Sequence, residues 1–437
     1  MKKLEGRAFI CLLLVLAMLA GLVYFIVRLE INGSKWAGYY ANSHVFQNGS
    51  LIVGEIKDRN GASLVKYTPD GAQFSESETA RRAVSTVVSD VNYSIPTGAN
   101  IVFRSRLVGY NFVTGTEGVF GNKGGKVTLS IDEDINRTAY EALGDREGLV
   151  AVYNYVTGDI VCLVSTPTVD PMDYNAGETA KSGAYINKVT SATFAPGSTF
   201  KVLTACAAIE KLKGMDDWIF TCTGSHSLGG SNITCPYAHG TMDFKGALAN
   251  SCNCAFGQLA CDLGGDTLAK YVKKMGLTKS YDINGIKTKK GTFNFDADAV
   301  NIGWAGIGQF EDQANPLSLM VFMGSIAGGG STMEPSLLKD GSSGTIELMK
   351  EKTAKKLDKM LRNNVEANYG TDNYPNLGLR AKSGSAETGD GGATNAWFYG
   401  YSGDYAFVVM VEHGGAGATV AGPIANTVLQ EIMKRES

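Results

Sequence analysis

Residues 195–205 read Ala-Pro-Gly-Ser-Thr-Phe-Lys-Val-Leu-Thr-Ala and set Ser198 three positions before Lys201. Pro196 and Gly197 mark a helix start. Positions i and i+3 share a helix face, with Cβ atoms about 5–6 Å apart, so Lys201 is expected beside Ser198. A serine hydroxyl is a weak nucleophile near neutral pH and needs a neighbouring base. At a helix N-terminus, Ser198 also meets backbone N–H groups and a dipole that favour a developing oxyanion. The bare S-x-x-K pattern does not carry this reading. It recurs at Ser63/Lys66 and Ser336/Lys339, and alone it describes a capping serine beside a solvated lysine.

Two segments further along complete the set. Ser251-Cys-Asn253 follows the helical stretch DFKGALAN. Its hydroxyl is placed to shuttle a proton between Lys201 and a leaving amine, and Asn253 to hold a peptide group in a cleft. Lys382-Ser383-Gly384, in RAKSGSAETG, reads as a strand. A lysine and hydroxyls on an edge strand suit a substrate carboxylate, and Gly384 permits close backbone approach. Burial beside Lys382 is expected to lower the pKa of Lys201 and make it a base. A backbone N–H just beyond Gly384 is expected to complete an oxyanion hole with that of Ser198. Histidine-based triads are set aside, because His44, His226, His239 and His413 lie in no nucleophile-elbow context.

The first thirty residues add a location. An apolar run from Ala8 to Val27 follows Lys2, Lys3 and Arg7. About 20 apolar residues at 1.5 Å each span a bilayer core. The preceding cations place the N-terminus in the cytoplasm. A cleaved signal peptide would have a shorter apolar core and a small-residue cleavage site, whereas Val-Arg-Leu-Glu follows here. The expected organisation is a cytoplasmic tail (1–7), a single-pass anchor (8–28), a small non-catalytic module (29–125) and a catalytic domain (126–437) outside the membrane.

Of 437 residues, 44 % are apolar and 19 % charged, with a formal net charge of −3. That composition is globular, and no broad basic field attracts nucleic acid. Cys222 and Cys235 flank a Gly/Ser-rich stretch, which suits a loop-closing disulfide outside the cytoplasm. A zinc site from Cys222, Cys235, His239 and the Cys252–Cys261 group matches no C-x₂-C pair. No metal or cofactor is therefore assigned, and free buried thiols are the plain alternative.

In the module, the Asp58-Arg-Asn-Gly61 turn predicts a hairpin, and residues 73–92 predict an amphipathic helix. Residues 127–131 predict a strand, 132–143 a helix and 149–166 a hairpin. Three strands near the C-terminus precede a closing helix over 421–435, apolar at Ile424, Val428, Leu429 and Ile432. Strands at both ends with a helical middle imply an α+β domain, one antiparallel sheet with helices on both faces.

With these motifs in order, the chain resembles the class B penicillin-binding proteins, membrane-anchored D,D-transpeptidases of the bacterial cell wall. The likeness also includes GEIKDRNG (54–61), VTLSIDEDINRTAYEAL (127–143), TGDIVCLVSTPTVDP (157–171), Asn187, GIGQ…NPL (306–317) and AWFYGY (396–401). It implies that Ser198 is acylated by the penultimate D-Ala of a stem peptide, with Lys201 as base. Ser251 and Asn253 would line the cleft, and Lys382 would support the proton network. Ser383 and Ser385 would contact the substrate carboxylate, and the N–H groups of Ser198 and Ser385 would form the oxyanion hole. β-Lactams would acylate the same serine. Such proteins work with a polytopic SEDS-family glycan polymerase, whose contact is expected on the anchor and residues 29–125. The chain departs from the family pattern in its short post-anchor segment and in Ser385, where threonine is common. A D,D-carboxypeptidase, a β-lactamase of the same fold and a non-catalytic scaffold for the polymerase are the alternative readings.

Overall fold

A computed structural model describes residues 2–116, 121, 123–341, 344–389 and 392–436. Met1 of the expected tail, and residues 117–120 and 122 of the expected module, lie outside them.

Helix α1 (Lys2–Ala37) carries the apolar run and continues past Val27 without a break. The apolar count sets the length inside a bilayer, but the helix ends only where its backbone pattern fails. Arg28 to Ile31 offer no breaker. Gly33 is tolerated because a Cβ there would sit 2.4 Å from the Tyr110 ring. Among the described residues, α1 is the one helix long and apolar enough to cross a membrane. Its 18-residue window has a mean hydropathy of 3.0 and none of it is buried, which fits membrane anchoring.

Three strands of the module and the first strand of the segment after it make one four-stranded sheet, which crosses the expected boundary at residue 125. Strands β1 (Glu55–Lys57), β2 (Ser63–Thr68) and β3 (Gly71–Phe74) form an antiparallel meander. Helix α2 (Glu78–Val88), capped by Ser77, is shorter than the expected helix, whose first residues are spent in β3. The expected strand at 127–131 appears as β4 (Lys126–Thr128) and pairs parallel with β1. The Asp58 carboxylate closes the Asp-Arg-Asn-Gly turn by accepting the Asn60 and Ala62 N–H groups at 2.9 and 2.8 Å. Its other oxygen accepts the Glu133 N–H at 3.2 Å. That hydrogen bond ties the turn to α3 (Glu133–Leu143), whose N-cap is Asp132.

The larger sheet has five antiparallel strands. In chain order they are β5 (Gly148–Asn154), β6 (Ile160–Thr166), β7 (Arg380–Glu387), β8 (Thr394–Ser402) and β9 (Tyr405–Val411), and in space they run β7-β8-β9-β5-β6. Both faces are buried, so apolar residues run continuously while the period of two still sorts them. Leu149, Ala151 and Tyr153 of β5 and Val408 and Met410 of β9 join one core. Val150, Val152, Val409 and Val411 join the other. The second core is closed by α3 and by the C-terminal helix (Gly417–Glu436), through Ile135, Ala139, Ile424 and Leu429. Each fully buried Leu or Ile there contributes about 1.5–3 kcal/mol of transfer free energy. The first core is closed by the helical middle of the chain, including the helix Pro316–Ala327, buried from Pro316 to Ile326. Asn315 ties the start of that helix to the Val189 and Ala192 carbonyls, both at 2.9 Å. This is the expected α+β architecture, and it leaves β7 as an edge strand facing the helical side.

Candidate active site

Ser198 lies in a 3₁₀ turn (Gly197–Thr199) directly before the α-helix Lys201–Lys211. Two aromatic residues of β8 and one glycine loop fix this turn. Trp397 donates its indole N–H to the Ala195 carbonyl at 3.1 Å, and the Tyr399 hydroxyl donates to the Thr199 carbonyl at 2.8 Å. The Gly197 N–H reaches the Gly308 carbonyl at 2.8 Å. Gly197 has φ +54°, and a Cβ on it would lie 3.0 Å from the Ser385 carbonyl. The turn is thereby pressed against β7. Gly384 serves the same approach, since its Cβ would meet the Thr199 side chain at 3.0 Å and the Pro196 carbonyl at 3.2 Å.

The Lys201 ammonium position is 0 % exposed. Its Nζ lies 2.9 Å from Ser198 Oγ, 2.7 Å from the Ser251 carbonyl, 2.7 Å from Asn253 Oδ1 and 3.1 Å from Ser251 Oγ. The Ser251 carbonyl and Asn253 Oδ1 only accept, so they match the two N–H bonds of a neutral amine. In the free amine the nitrogen lone pair would be open to the Ser198 O–H, and in the protonated form Nζ donates to Ser198 Oγ. Burial brings the Lys201 pKa down to about 7, while the thiols of Cys235, Cys252 and Cys254 pull in the opposite direction. Asn253 is held in this orientation by donating its amide N–H to the Thr234 carbonyl at 2.8 Å.

Lys382, also 0 % exposed, donates to Ser251 Oγ at 3.0 Å and to the Ser383 carbonyl at 2.7 Å. Burial, and then the charge of Lys201, hold its pKa well below the usual lysine value. Ser251 itself has φ +50°. A left-handed, non-glycine residue at the meeting point of two lysines is backbone strain held by a functional constraint.

A cleft of about 370 Å³ opens over these groups. Ser198, Ser251, Asn253, Ser383, Gly384 and Ser385 line it. Lys201 and Lys382 sit behind its wall. All eight expected residues are therefore brought together. Sequence reasoning gave no role to Trp304 and Gln309, which also line the cleft, or to Tyr369. The buried Tyr369 hydroxyl accepts the Ser383 N–H at 2.9 Å and bonds Ser383 Oγ at 3.0 Å. Gln309 lies inside the quoted GIGQ block, whereas Tyr369 lies in no motif.

A family model for the penicillin-binding protein transpeptidase domain matches residues 148–433. The chain belongs to this family. PbpA of Mycobacterium tuberculosis, a peptidoglycan D,D-transpeptidase, is 26 % identical over 383 residues, covering 77 % of each chain. Penicillin-binding protein 3 of Bacillus subtilis is 28 % identical over 301 residues, covering 62 % of this chain and 45 % of that one. The crystal structure of the M. tuberculosis PbpA superposes with a TM-score of 0.74 at 22 % identity, covering 87 % and 99 % of the two chains. The expected class B membership, the fold and the enzyme class thus agree with these relatives.

The cysteines follow the plainer of the two readings. All eight are free thiols, so the Cys222–Cys235 disulfide is not formed. Cys222 instead faces His239, with Sγ to Nδ1 at 3.4 Å. Cys235 faces Cys252 and Cys254, at 3.7 and 3.5 Å between sulfurs.

Proposed function

We propose that this penicillin-binding protein is a peptidoglycan D,D-transpeptidase acting through a Ser198 acyl-enzyme. The observation that carries the reading is the buried Lys201 amine, 2.9 Å from Ser198 Oγ and joined through Ser251 to Lys382. Ser198 Oγ attacks the carbonyl carbon of the penultimate D-Ala while its proton passes to Lys201 Nζ. The scissile C–N bond breaks, and Ser251 passes a proton to the departing D-Ala amine, replenished from the lysine pair. The N–H groups of Ser198 and Ser385 stabilise the oxyanion. Ser383 and Ser385 bind the substrate carboxylate, and Asn253 positions the peptide. An amine from a neighbouring stem peptide then attacks the ester, and Ser198 regains its proton as the cross-link forms. A β-lactam enters at the first step, its ring amide opening onto Ser198.

The N-terminus lies in the cytoplasm and residues 29–437 lie outside, with 29–125 as a non-catalytic module and 126–437 as the catalytic domain. α1 and the module form the contact for a SEDS-family glycan polymerase. Replacing Ala8–Val27 with an unrelated span and recovering full co-purification with the polymerase would remove the anchor from that contact.

The test of the chemistry is mass spectrometry of the protein after incubation with a fluorescent penicillin, beside Ser198→Ala. A persistent adduct on the Ser198 peptide, absent from the variant, supports the acyl-enzyme. Rapid loss with opened penicillin means a lactamase, and no adduct on folded protein means a scaffold. Product analysis with and without an acceptor amine separates transpeptidation from carboxypeptidation.

A further inference from the structure

Four donors from three separate chain segments converge beside the Ser251–Asn253 turn. Cys222 ends the strand Ile219–Cys222, and His239 immediately precedes its antiparallel partner Gly240–Asp243. Cys235 directly follows the strand Ser231–Thr234. Cys252 is the N-cap of the helix Asn253–Leu263. One ligand atom from each residue lies within 4.8 Å of all the others. Strand pairing supplies this proximity, which is why the absence of a C-x₂-C pair in the sequence did not reveal it.

Two of the spacings, Cys222 Sγ to His239 Nδ1 at 3.4 Å and Cys235 Sγ to Cys252 Sγ at 3.7 Å, suit a four-coordinate thiolate-imidazole set. With Zn–S bonds of about 2.3 Å, tetrahedral sulfurs stand about 3.8 Å apart, close to the 3.7 Å between Cys235 Sγ and Cys252 Sγ. The surrounding backbone suits thiolates. Cys222 Sγ accepts the Gly224 N–H at 3.4 Å. Cys235 Sγ accepts the Asn253 and Cys254 N–H groups at 3.1 and 3.4 Å. Cys252 Sγ accepts the Ala255 N–H at 3.4 Å. Three sulfurs that each accept backbone N–H bonds, with an imidazole nitrogen beside them, are the outer hydrogen bonding a metal-bound thiolate needs. Cys254 differs, because its thiol donates to the Ile233 carbonyl at 3.6 Å and it stands outside the set.

We propose that Cys222, Cys235, His239 and Cys252 bind one zinc ion that clamps the turn carrying Ser251 and Asn253. Three thiolates and one neutral imidazole fill four positions, so the site is closed and structural, with no position for a catalytic water. Its effect on the chemistry is positional. Cys252 lies between the two residues whose side chains bond Lys201, and fixing its sulfur fixes both of them.

The experiment is metal analysis of the full-length protein, purified in detergent under reducing conditions and incubated with excess Zn²⁺ before desalting. The expected content is about one zinc per chain. Cys222→Ser, and separately His239→Ala, should lower zinc retention at least roughly tenfold, whereas Cys254→Ser should keep it. Co²⁺ in place of zinc should show the intense visible absorption of a tetrahedral thiolate site, absent from Cys222→Ser. A folded wild-type chain that retains no zinc, or a Cys235–Cys252 disulfide under the same conditions, would overturn the site. Removing the ion by chelation should slow penicillin acylation roughly tenfold, with recovery on zinc addition. That last arm alone rests on Ser198 as nucleophile, and metal content reads the site independently of it.

Discussion

Lys201 and Lys382 reach the same hydroxyl: Ser251 Oγ lies 3.1 Å from Lys201 Nζ and 3.0 Å from Lys382 Nζ. Two like charges at one buried oxygen repel, so the pair is stable only with a proton missing. The missing proton is what makes a base. The strain at Ser251, φ +50°, is the geometric cost of placing one hydroxyl between a helix residue and a strand residue.

The first consequence is a pH profile. Lys201 takes the Ser198 proton only as a free amine, and its pKa is about 7. The rate of Ser198 acylation by a penicillin should therefore rise through about pH 7 and level off above it. A rate flat from pH 5 to 9 would show that another group is the base. The folded pKa also lies below the unfolded lysine value of about 10.4, so the unfolded chain binds the extra proton between these limits. Lys201 therefore contributes a stability that increases with pH over that window.

Ser251→Ala removes the oxygen shared by both lysines. Acylation should fall by about 10²–10⁴. Because Ser251 and Lys382 act through one hydrogen bond, Lys382→Ala combined with Ser251→Ala should cost far less than the sum of the single changes. An additive double-mutant cycle in acylation rate would separate the two residues.

Tyr369→Phe keeps the ring and deletes the hydroxyl that holds Ser383. The Ser383 N–H loses its partner, at a cost of about 1–3 kcal/mol in unfolding free energy. Thermal melts should show it. Binding should weaken more than the acylation step, because Ser383 lines the cleft and Ser198 is untouched.

Gly308→Ala should be the most damaging small change near the site. The new Cβ would lie 2.2 Å from the Gly197 carbonyl, at a residue with φ +80°. The Ser198 turn must then move, and a 1 Å displacement of a reacting group costs on the order of 10²-fold in rate. Near-normal acylation in this variant would mean that the glycine loop does not set the serine.

Arg81 of α2 holds Asp170 through two hydrogen bonds, at 2.7 and 2.6 Å, across 89 positions of sequence. Both side chains are largely covered. Arg81→Ala should lower the melting temperature with a loss of about 1.5–3 kcal/mol, while penicillin acylation of the folded protein stays unchanged.

The candidate site residues were legible as neighbours because their motifs are local: a helix turn sets Ser198 beside Lys201, and one strand carries Lys382 to Ser385. The strands were legible from their apolar runs, but their spatial order came only with the structure. The parts that escaped are those made by distance in sequence. Tyr369 meets Ser383 across a loop, and no periodicity marks a single tyrosine. Trp397 and Tyr399 sat in a quoted block, but their hydrogen bonds to the serine turn depend on sheet register. The closeness of Cys222, Cys235, His239 and Cys252 was not legible from spacing, which describes groups supplied by one loop. Here hairpin pairing and a helix cap bring them together. The overrun of α1 past Val27 escaped for a simpler reason, since hydropathy measures the bilayer and not the helix.

That overrun has a mechanical side. Ten residues beyond Val27 add about 15 Å of rigid rod, and the rod ends packed on the module at Gly33 and Tyr110. The anchor is a shaft rather than a tether. Tilting or turning it within the bilayer displaces the whole extramembrane module with it. A flexible insertion between Arg28 and Gly33 would break that linkage while leaving both ends intact.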